Sequence, residues 1–277
     1  MDYDPAVRLK LMTYNLLYGS HEREGDALVF REERAAAARE VVLGEAPDIL
    51  GLTEAVYVGG DGRLVRADFA RRFALEHLYA AGFAGEWASC IVSRHPIVRT
   101  ARLPFGTRDG SQPASALRVE IACDGRPLTV DVVHPSPNVR EHERAAAMAM
   151  LLASAPRPYV LMGDFNSLSD EDPYDAAVLA AELRGNVPAP EALAARMLER
   201  QVIAAVRGHG LVDTMPPAAR THTLPTRLPR RATQGARLRI DYIFVSPELV
   251  VERAAVIQSA AAERASDHYP VVAEIAL

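Results

Sequence analysis

The sequence predicts an α/β (α+β) fold in which two β-sheets pack face to face with helices outside them. Three observations carry this. Helical and strand-like segments alternate along the first third of the 277 residues, and strand-like runs joined by the hairpin signal Asp124-Gly125 fill the middle. No stretch reads as a linker, so residues 1–277 are expected to form one domain with a large core.

The elements follow in order. A strand at Arg8–Tyr14 leads into the polar loop Ser20-His21-Glu22-Arg23-Glu24-Gly25 and then a helix over about Arg31–Glu45. That helix is rich in the good helix formers Ala, Glu and Arg, and Pro47 closes it. A strand at Ile49–Thr53 precedes a glycine-rich loop at Gly59–Gly62 and a helix near Arg66–Ala80. Trp87–Ser93, Ala116–Cys123 and Pro127–Val133 read as strands, Glu141–Ser154 as a helix and Tyr159–Met162 as a strand. Asp175–Arg207 has helical composition but is interrupted from Gly185 to Pro190, which predicts two helices. After a loop rich in Arg and Thr at Arg220–Arg237, strands return at Ile240–Val245, Val250–Ile257 and Val271–Ala276.

Formal net charge is -5, so the chain lacks the strongly basic footprint of a dedicated duplex binder; nucleic acid is disfavoured as a partner but stays an alternative. The acidic start Met1-Asp2-Tyr3-Asp4-Pro5 lacks the basic and apolar regions of a secretory signal, and no apolar run is long enough to cross a bilayer. A cytoplasmic protein without membrane insertion is the expectation. Cys90 and Cys123 sit in apolar strand-like runs and read as buried thiols.

The chemistry gathers where apolar runs end. Tyr159-Val160-Leu161-Met162 delivers Gly163-Asp164-Phe165-Asn166, an acid and an amide two residues apart on one side of an extended chain. Other runs end in Asn15, Glu54 and His134, Arg239-Ile240 leads into Asp241, and Ser266-Asp267-His268 precedes the last strand. Each has a bland reading. Asp164-Phe165-Asn166 alone could be an Asx-type turn, Glu54 a capping or salt-bridged acid, Asn15 a turn cap, and His134 or His268 a structural histidine. Together they suit a hard divalent cation, Mg²⁺ or Mn²⁺, because carboxylates and amides without clustered cysteines are oxygen ligands. Glu54 with Asp267 could bind it, Asn15 either holding a ligand or giving its own oxygen. Asp164 would orient and deprotonate a water, and Asn166 would fix that water or a phosphate oxygen. His268, steadied by Asp241, would donate to a phosphoryl oxygen, with His134 as a second phosphate-facing group.

In this order the residues resemble the endonuclease/exonuclease/phosphatase superfamily of Mg²⁺-dependent phosphoesterases. The matching pieces span nearly the whole chain: Thr13-Tyr14-Asn15, Pro47 to Glu54, Ser93-Arg94-His95-Pro96-Ile97, Gly163-Asp164-Phe165-Asn166, Arg239-Ile240-Asp241-Tyr242-Ile243-Phe244 and Ser266-Asp267-His268-Tyr269-Pro270. The resemblance implies a four-layer αββα sandwich, two packed mixed β-sheets flanked by helices, with the site at one edge of the paired sheets. It places Asn15, Glu54 and Asp267 at the metal, Asp164 and Asn166 at water and phosphate, Asp241 behind the histidine and His268 at the phosphate. Leu16-Leu17 replace the polar residue that many family nucleases carry after the first Asn, and Thr53 replaces the usual Gln. Val133-His134-Pro135-Ser136-Pro137-Asn138 looks like the His-bearing branch of phosphodiesterases and phosphatases, with Asn138 an additional phosphate contact. The helical stretch at about 175–207 looks like an insertion beside the site.

The resemblance leaves the substrate open. The arginines Arg220, Arg227, Arg230, Arg231, Arg237 and Arg239 could be a phosphate-tracking patch or a solvated loop paired with acids. A small or terminal phosphate ester is the favoured substrate; a DNA or RNA nuclease, and a non-catalytic member of the fold, are the competing readings.

Overall fold

The structure, a computed structural model, describes residues 7–25, 27–61, 63–64, 71–228 and 235–277. Its strands, in chain order, are β1 Arg8–Asn15, β2 His21–Glu24, β3 Ala27–Phe30, β4 Ile49–Tyr57, β5 His77–Ala80, β6 Trp87–Ser93 and β7 Ile97–Thr107. They continue as β8 Pro113–Cys123, β9 Arg126–Val133, β10 Tyr159–Asp164, β11 Val212–Asp213, β12 Asp241–Val245, β13 Val250–Val256 and β14 Val271–Ala276. The helices are α1 Glu32–Glu45, α2 Glu141–Ala153, α3 Ala176–Leu183, α4 Pro190–Met197, α5 Gln201–Gly208 and the short α6 Ala262–Ala265. No helix among the described residues is long and apolar enough to cross a membrane.

Two six-stranded sheets form, in the orders β13-β14-β1-β4-β6-β5 and β11-β12-β10-β9-β8-β7. The alternation of side chains along each strand explains why they stack. In β1 and β4, Leu11 and Ile49 point to the space between the sheets, where they meet Val130, Val132, Val160 and Ile243 of the other sheet. Their neighbours Met12, Leu50 and Leu52 point outward against Ala37, Val41 and Val42 of α1 and Ala262 of α6. The second sheet turns Leu161 and Phe244 outward, onto Met148 and Leu151 of α2 and Val202 and Val206 of α5. Helices on both outer faces complete a four-layer αββα sandwich, and burial of both faces of the central strands accounts for their continuous apolar runs. Cys90 and Cys123 are free and buried, as expected.

Pairing direction places the site. β1 runs parallel to β4, and β10 parallel to β9, so their C-terminal ends reach the same edge of the sandwich. β12 runs antiparallel to β10 with Asp241 opposite Asp164, and β14 runs antiparallel to β1 with Val271 opposite Thr13. The start of β12 and the turn before β14 therefore arrive at that same edge. Two glycines permit the required approach. A Cβ on Gly51 would lie 2.7 Å from Val132 and 2.9 Å from Met162, where the sheets meet. Gly163 has φ +144°, and a Cβ there would fall 2.0 Å from the Val133 carbonyl oxygen.

Several sequence expectations change. In place of a helix near Arg66–Ala80, His77–Ala80 is an edge strand paired with β6; residues 65–70 lie outside the described set. A helix over 77–80 would forgo the ladder that the free edge of β6 offers. The polar loop at Ser20–Gly25 is largely a strand of the β2–β3 hairpin. The pair of helices expected over Asp175–Arg207 is three short helices, because Arg200 adopts a left-handed φ of 56° between α4 and α5.

Gly163→Ala should destabilise the fold by about 2 kcal/mol or more, since positive φ and a backbone collision act together. Urea denaturation measures it; an unchanged midpoint would show that β10 can shift without cost.

Candidate active site

The buried carboxylate of Asp164, 2% exposed, is the centre of the site. Its Oδ1 accepts from the Asn166 backbone N–H at 2.9 Å and its Oδ2 from Asn15 Nδ2 at 3.0 Å. The Nε2 atoms of His134 and His268 lie 3.5 and 3.8 Å from the same Oδ2. Burial alone would raise the pKa of Asp164; the His134 hydrogen bond, both imidazole charges and the Asn166 N–H reverse this and hold it at about 2.

His268 Nδ1 bonds Asp241 Oδ2 at 2.8 Å, which fixes the ring and leaves Nε2 facing Asp164. Burial pulls the pKa of His268 down, but the Asp241 charge and hydrogen bond, followed by Asp164 and Asp267, raise it to about 10. For His134 burial is again the largest influence and lowers the pKa, yet Asp164 and then Glu54 together raise it.

Glu54 sits in an irregularity of β4, where three residues, 53–55, stand opposite Ser89 alone between the Leu52–Cys90 and Val56–Ala88 pairs. Its φ of 46° is strained for a residue with a side chain, and the irregularity turns its carboxylate to the sandwich edge. Oε2 accepts from Tyr18 N–H at 3.2 Å, and Oε1 lies 3.4 Å from Asn15 Nδ2 and 3.9 Å from His134 Nε2. Asn15 Oδ1 is taken by the Leu17 N–H at 2.9 Å, so Asn15 acts here through its amide nitrogen, holding the carboxylates of Glu54 and Asp164.

Residues that local sequence did not single out hold this constellation. Ser266 Oγ donates to the Asn15 carbonyl at 2.6 Å and accepts from His268 N–H at 3.2 Å, tying β1 to the histidine turn. Thr223 Oγ1 accepts from the N–H groups of Ile240 and Asp241 at 3.1 and 3.2 Å. Arg34 of α1 donates to the carbonyls of Leu16, Leu17 and Ala265. Arg144 of α2 donates to those of Phe165 and Asn166 and pairs with Glu141. Ser266 adjoins Asp267 in sequence and Arg144 lies three residues from Glu141, the signals that point to them; Thr223 and Arg34 have none.

Above the floor is a cavity of about 260 Å³, lined by Glu54, His134, Asn138, Asn166, Asp267 and His268 and, across from them, by α4. Asn138 is thus at the cavity, but Arg239 is not. It is 3% exposed, its Nε and Nη2 donate to Asp172 at 2.8 and 3.1 Å, and its Nη1 donates to Asp213 at 2.8 Å. With its guanidinium spent on two buried acids, Arg239 is a structural cross-brace, which corrects its assignment to substrate. Arg220 is likewise paired, with Glu171 at 2.7 Å, whereas Arg230 and Arg231 lie outside the described residues.

Within the cluster the carboxylates of Glu54, Asp164, Asp241 and Asp267 face two imidazoles, so even with both rings protonated two negative charges stay unmatched by the rings. That charge and the oxygen-rich donor set fit a divalent cation. Among the described residues, Asp164, Asp241 and His268 bring potential ligand atoms within 4.8 Å of one another.

The same architecture is found in solved structures of other proteins. An endonuclease/exonuclease/phosphatase protein from Bacteroides vulgatus aligns over 97% of this chain and 98% of its own, with a TM-score of 0.67 and 15% identity. A variant of the 3' phosphatase NExo from Neisseria, bound to product DNA hairpin, aligns over 96% and 98%, with a TM-score of 0.66 and 22% identity. A humanized D. rerio TDP2 aligns over 97% and 99%, with a TM-score of 0.59 and 15% identity. These likenesses define the fold. The sequence pattern of the Endonuclease/Exonuclease/phosphatase family matches residues 12–268, and the chain belongs to that family. Its members are typically hydrolytic enzymes acting on phosphoesters, and generally use divalent metals. No curated protein matches in sequence.

Two outcomes follow from the geometry. Arg239→Met should cost about 3 kcal/mol in urea denaturation, because Asp172 and Asp213 lose their close guanidinium and keep only the longer Arg220 contacts, at 3.5 and 3.8 Å; unchanged stability with weakened substrate binding would return Arg239 to the substrate. In the metal-free protein, NMR titration should show the raised His268 pKa, and Asp241→Asn should lower it. Because the folded pKa, about 10, exceeds the ordinary 6.5, the pair's stabilisation is complete below pH 6.5 and lost as pH rises through 10. Titration of His268 near its ordinary value in both proteins would remove Asp241 from this role.

Proposed function

We propose that the protein is a Mg²⁺-dependent hydrolase of phosphate esters, with Mn²⁺ able to substitute, that cleaves a small or terminal phosphate by attack of an activated water on phosphorus. The observation that carries this reading is the buried Asp164 carboxylate facing two imidazoles whose Nε2 atoms lie within 3.8 Å of it. Glu54 and Asp267 would hold the cation, with Asn15 orienting Glu54. When bound, the cation supplies charge neutralisation at a phosphoryl oxygen and at the departing oxygen.

The protein's own groups divide the remaining work. Asp164 orients the water and accepts its proton. A carboxylic acid held at about pKa 2 is a weak base, but the neighbours that depress it are chiefly the two imidazoles, with the Asn166 N–H adding to them. When His134 and His268 turn their N–H donors to phosphoryl oxygens, Asp164 loses the His134 hydrogen bond and part of the support of both imidazole charges, and becomes more basic as the water attacks. Asp241 keeps His268 protonated and aimed. Asn166, its amide steadied by donation to the Pro135 carbonyl at 3.1 Å, and Asn138 at the rim bear on water or phosphate.

A small substrate is supported by the cavity's limited size, by the acidic net charge, and by the use of Arg220 and Arg239 in ion pairs with acids, which removes them from phosphate tracking. A polynucleotide substrate is the second reading, and it has the DNA-bound Neisseria phosphatase as its structural parallel.

Purified protein should hydrolyse bis-p-nitrophenyl phosphate or p-nitrophenyl phosphate with Mg²⁺, better than it nicks plasmid DNA or cleaves RNA, and EDTA should abolish this. Glu54→Gln should demand much more Mg²⁺. Asp164→Ala and His268→Ala should each lower kcat by about 10²–10⁴-fold, the double variant by less than the product. Full activity in EDTA, or wild-type turnover by Asp164→Ala, would refute the mechanism; plasmid nicking at physiological salt without turnover of small esters would refute the substrate.

A further inference from the structure

The cavity has two unlike kinds of lining. The acid, amide and imidazole cluster contributes one; the other is hydrocarbon from Leu168, Leu193, Met197, Leu224, Leu238 and Ile240, of which Leu193 and Met197 belong to α4. Leu193 and Met197 stand four residues apart on α4, on the same face of the helix, and Arg196 joins them in lining the cavity. Arg196 is exposed and makes no ion pair with any described carboxylate. The other arginine facing the cavity, Arg144, is committed to the carbonyls of Phe165 and Asn166 and to Glu141. α4 is itself anchored: Ala194 is 1% exposed, in a cluster with Leu179, Leu183 and Leu238.

We propose that α4 is the substrate-selecting element, with Leu193 and Met197 receiving an apolar, aryl or alkyl, organic group of the phosphate ester while Arg196 binds a phosphoryl oxygen. This rests on the phosphoesterase reading above and gives it a substrate class. A polyol or sugar placed against this wall would lose water from its hydroxyls and find no side-chain partner among those six residues, so such esters are selected against. A planar ring suits the wall, because the unbranched thioether of Met197 adapts to its faces and edges. The cation of Arg196 offsets one of the two charges that a terminal phosphate dianion presents, without competing with the floor residues for the attacking water.

Calorimetric titration with phosphonates, which carry one organic group and are not hydrolysed, tests this without relying on turnover. With Mg²⁺ present, phenylphosphonate should bind at least about ten-fold more tightly than methylphosphonate. Leu193→Asn and Met197→Ser should each shrink that ratio toward one while leaving methylphosphonate affinity nearly unchanged. Arg196→Ala should weaken both ligands alike, and Arg196→Lys should restore part of the loss. A ratio near one in the unaltered protein, or a ratio that survives both wall substitutions, would overturn the proposal, as would unaltered affinity in Arg196→Ala. Binding that follows this pattern in a protein that hydrolyses no ester would instead overturn the catalytic reading and keep the pocket assignment.

Discussion

The structure depends on keeping one carboxylate, Asp164, charged inside a protein. A buried ion is costly unless donors surround it, and the donors here come from separate parts of the fold. Asn15 reaches across from the other sheet, His134 from the neighbouring parallel strand, His268 from the turn before the last strand, and the Asn166 N–H from its own chain. Stacking of the two sheets and ionisation of Asp164 are therefore linked: a separation of the sheets that lost the Asn15 bond would leave the charge less well matched. The close approach of the sheets at Gly51 is the steric counterpart of that electrostatic requirement.

Around the centre, charge is graded. Asp241 and His268 form a tight pair with the imidazole stabilised in its protonated form, whereas His134 takes its stabilisation from Asp164 and Glu54. The two rings are thus equivalent in pointing Nε2 at one oxygen but differ in what stands behind them. Arg34 and Arg144 contribute from further back by gripping carbonyls of the loops that follow β1 and β10. They bind backbone rather than the acids of the cluster, which leaves those acids available.

Much of this was legible in the sequence because both faces of the central strands are covered: continuous apolar runs announce such strands, and the polar residue that ends each run announces the edge. That logic located Asn15, Glu54, His134 and Asp164. It failed where the deciding partner is distant. His77–Ala80 is a strand because β6 offers it an edge, and nothing within those four residues says so. Arg239 lies in an arginine-rich stretch that resembles a surface patch, yet Asp172 and Asp213, remote in sequence, draw it inside. Thr223 and Arg34 act on backbone atoms far along the chain, a role that leaves no local pattern. Arg200, the left-handed residue that precedes α5, sets it apart from α4 without a glycine to mark the break.

The helical wall and the catalytic floor draw their stability from different places. Floor residues hang from strands whose apolar side chains meet between the sheets and beneath the outer helices, while α3 and α4 close on a small core of their own with Leu224, Leu238 and Ile240. Side chains of α4 that face the cavity can accordingly be exchanged with little disturbance to the hydrogen bonds around Asp164. If α4 selects the substrate as proposed, the reaction belongs to the sandwich and the choice of what reacts to a smaller helical core, and the two are joined at Ile240, whose N–H and that of Asp241 share one hydroxyl.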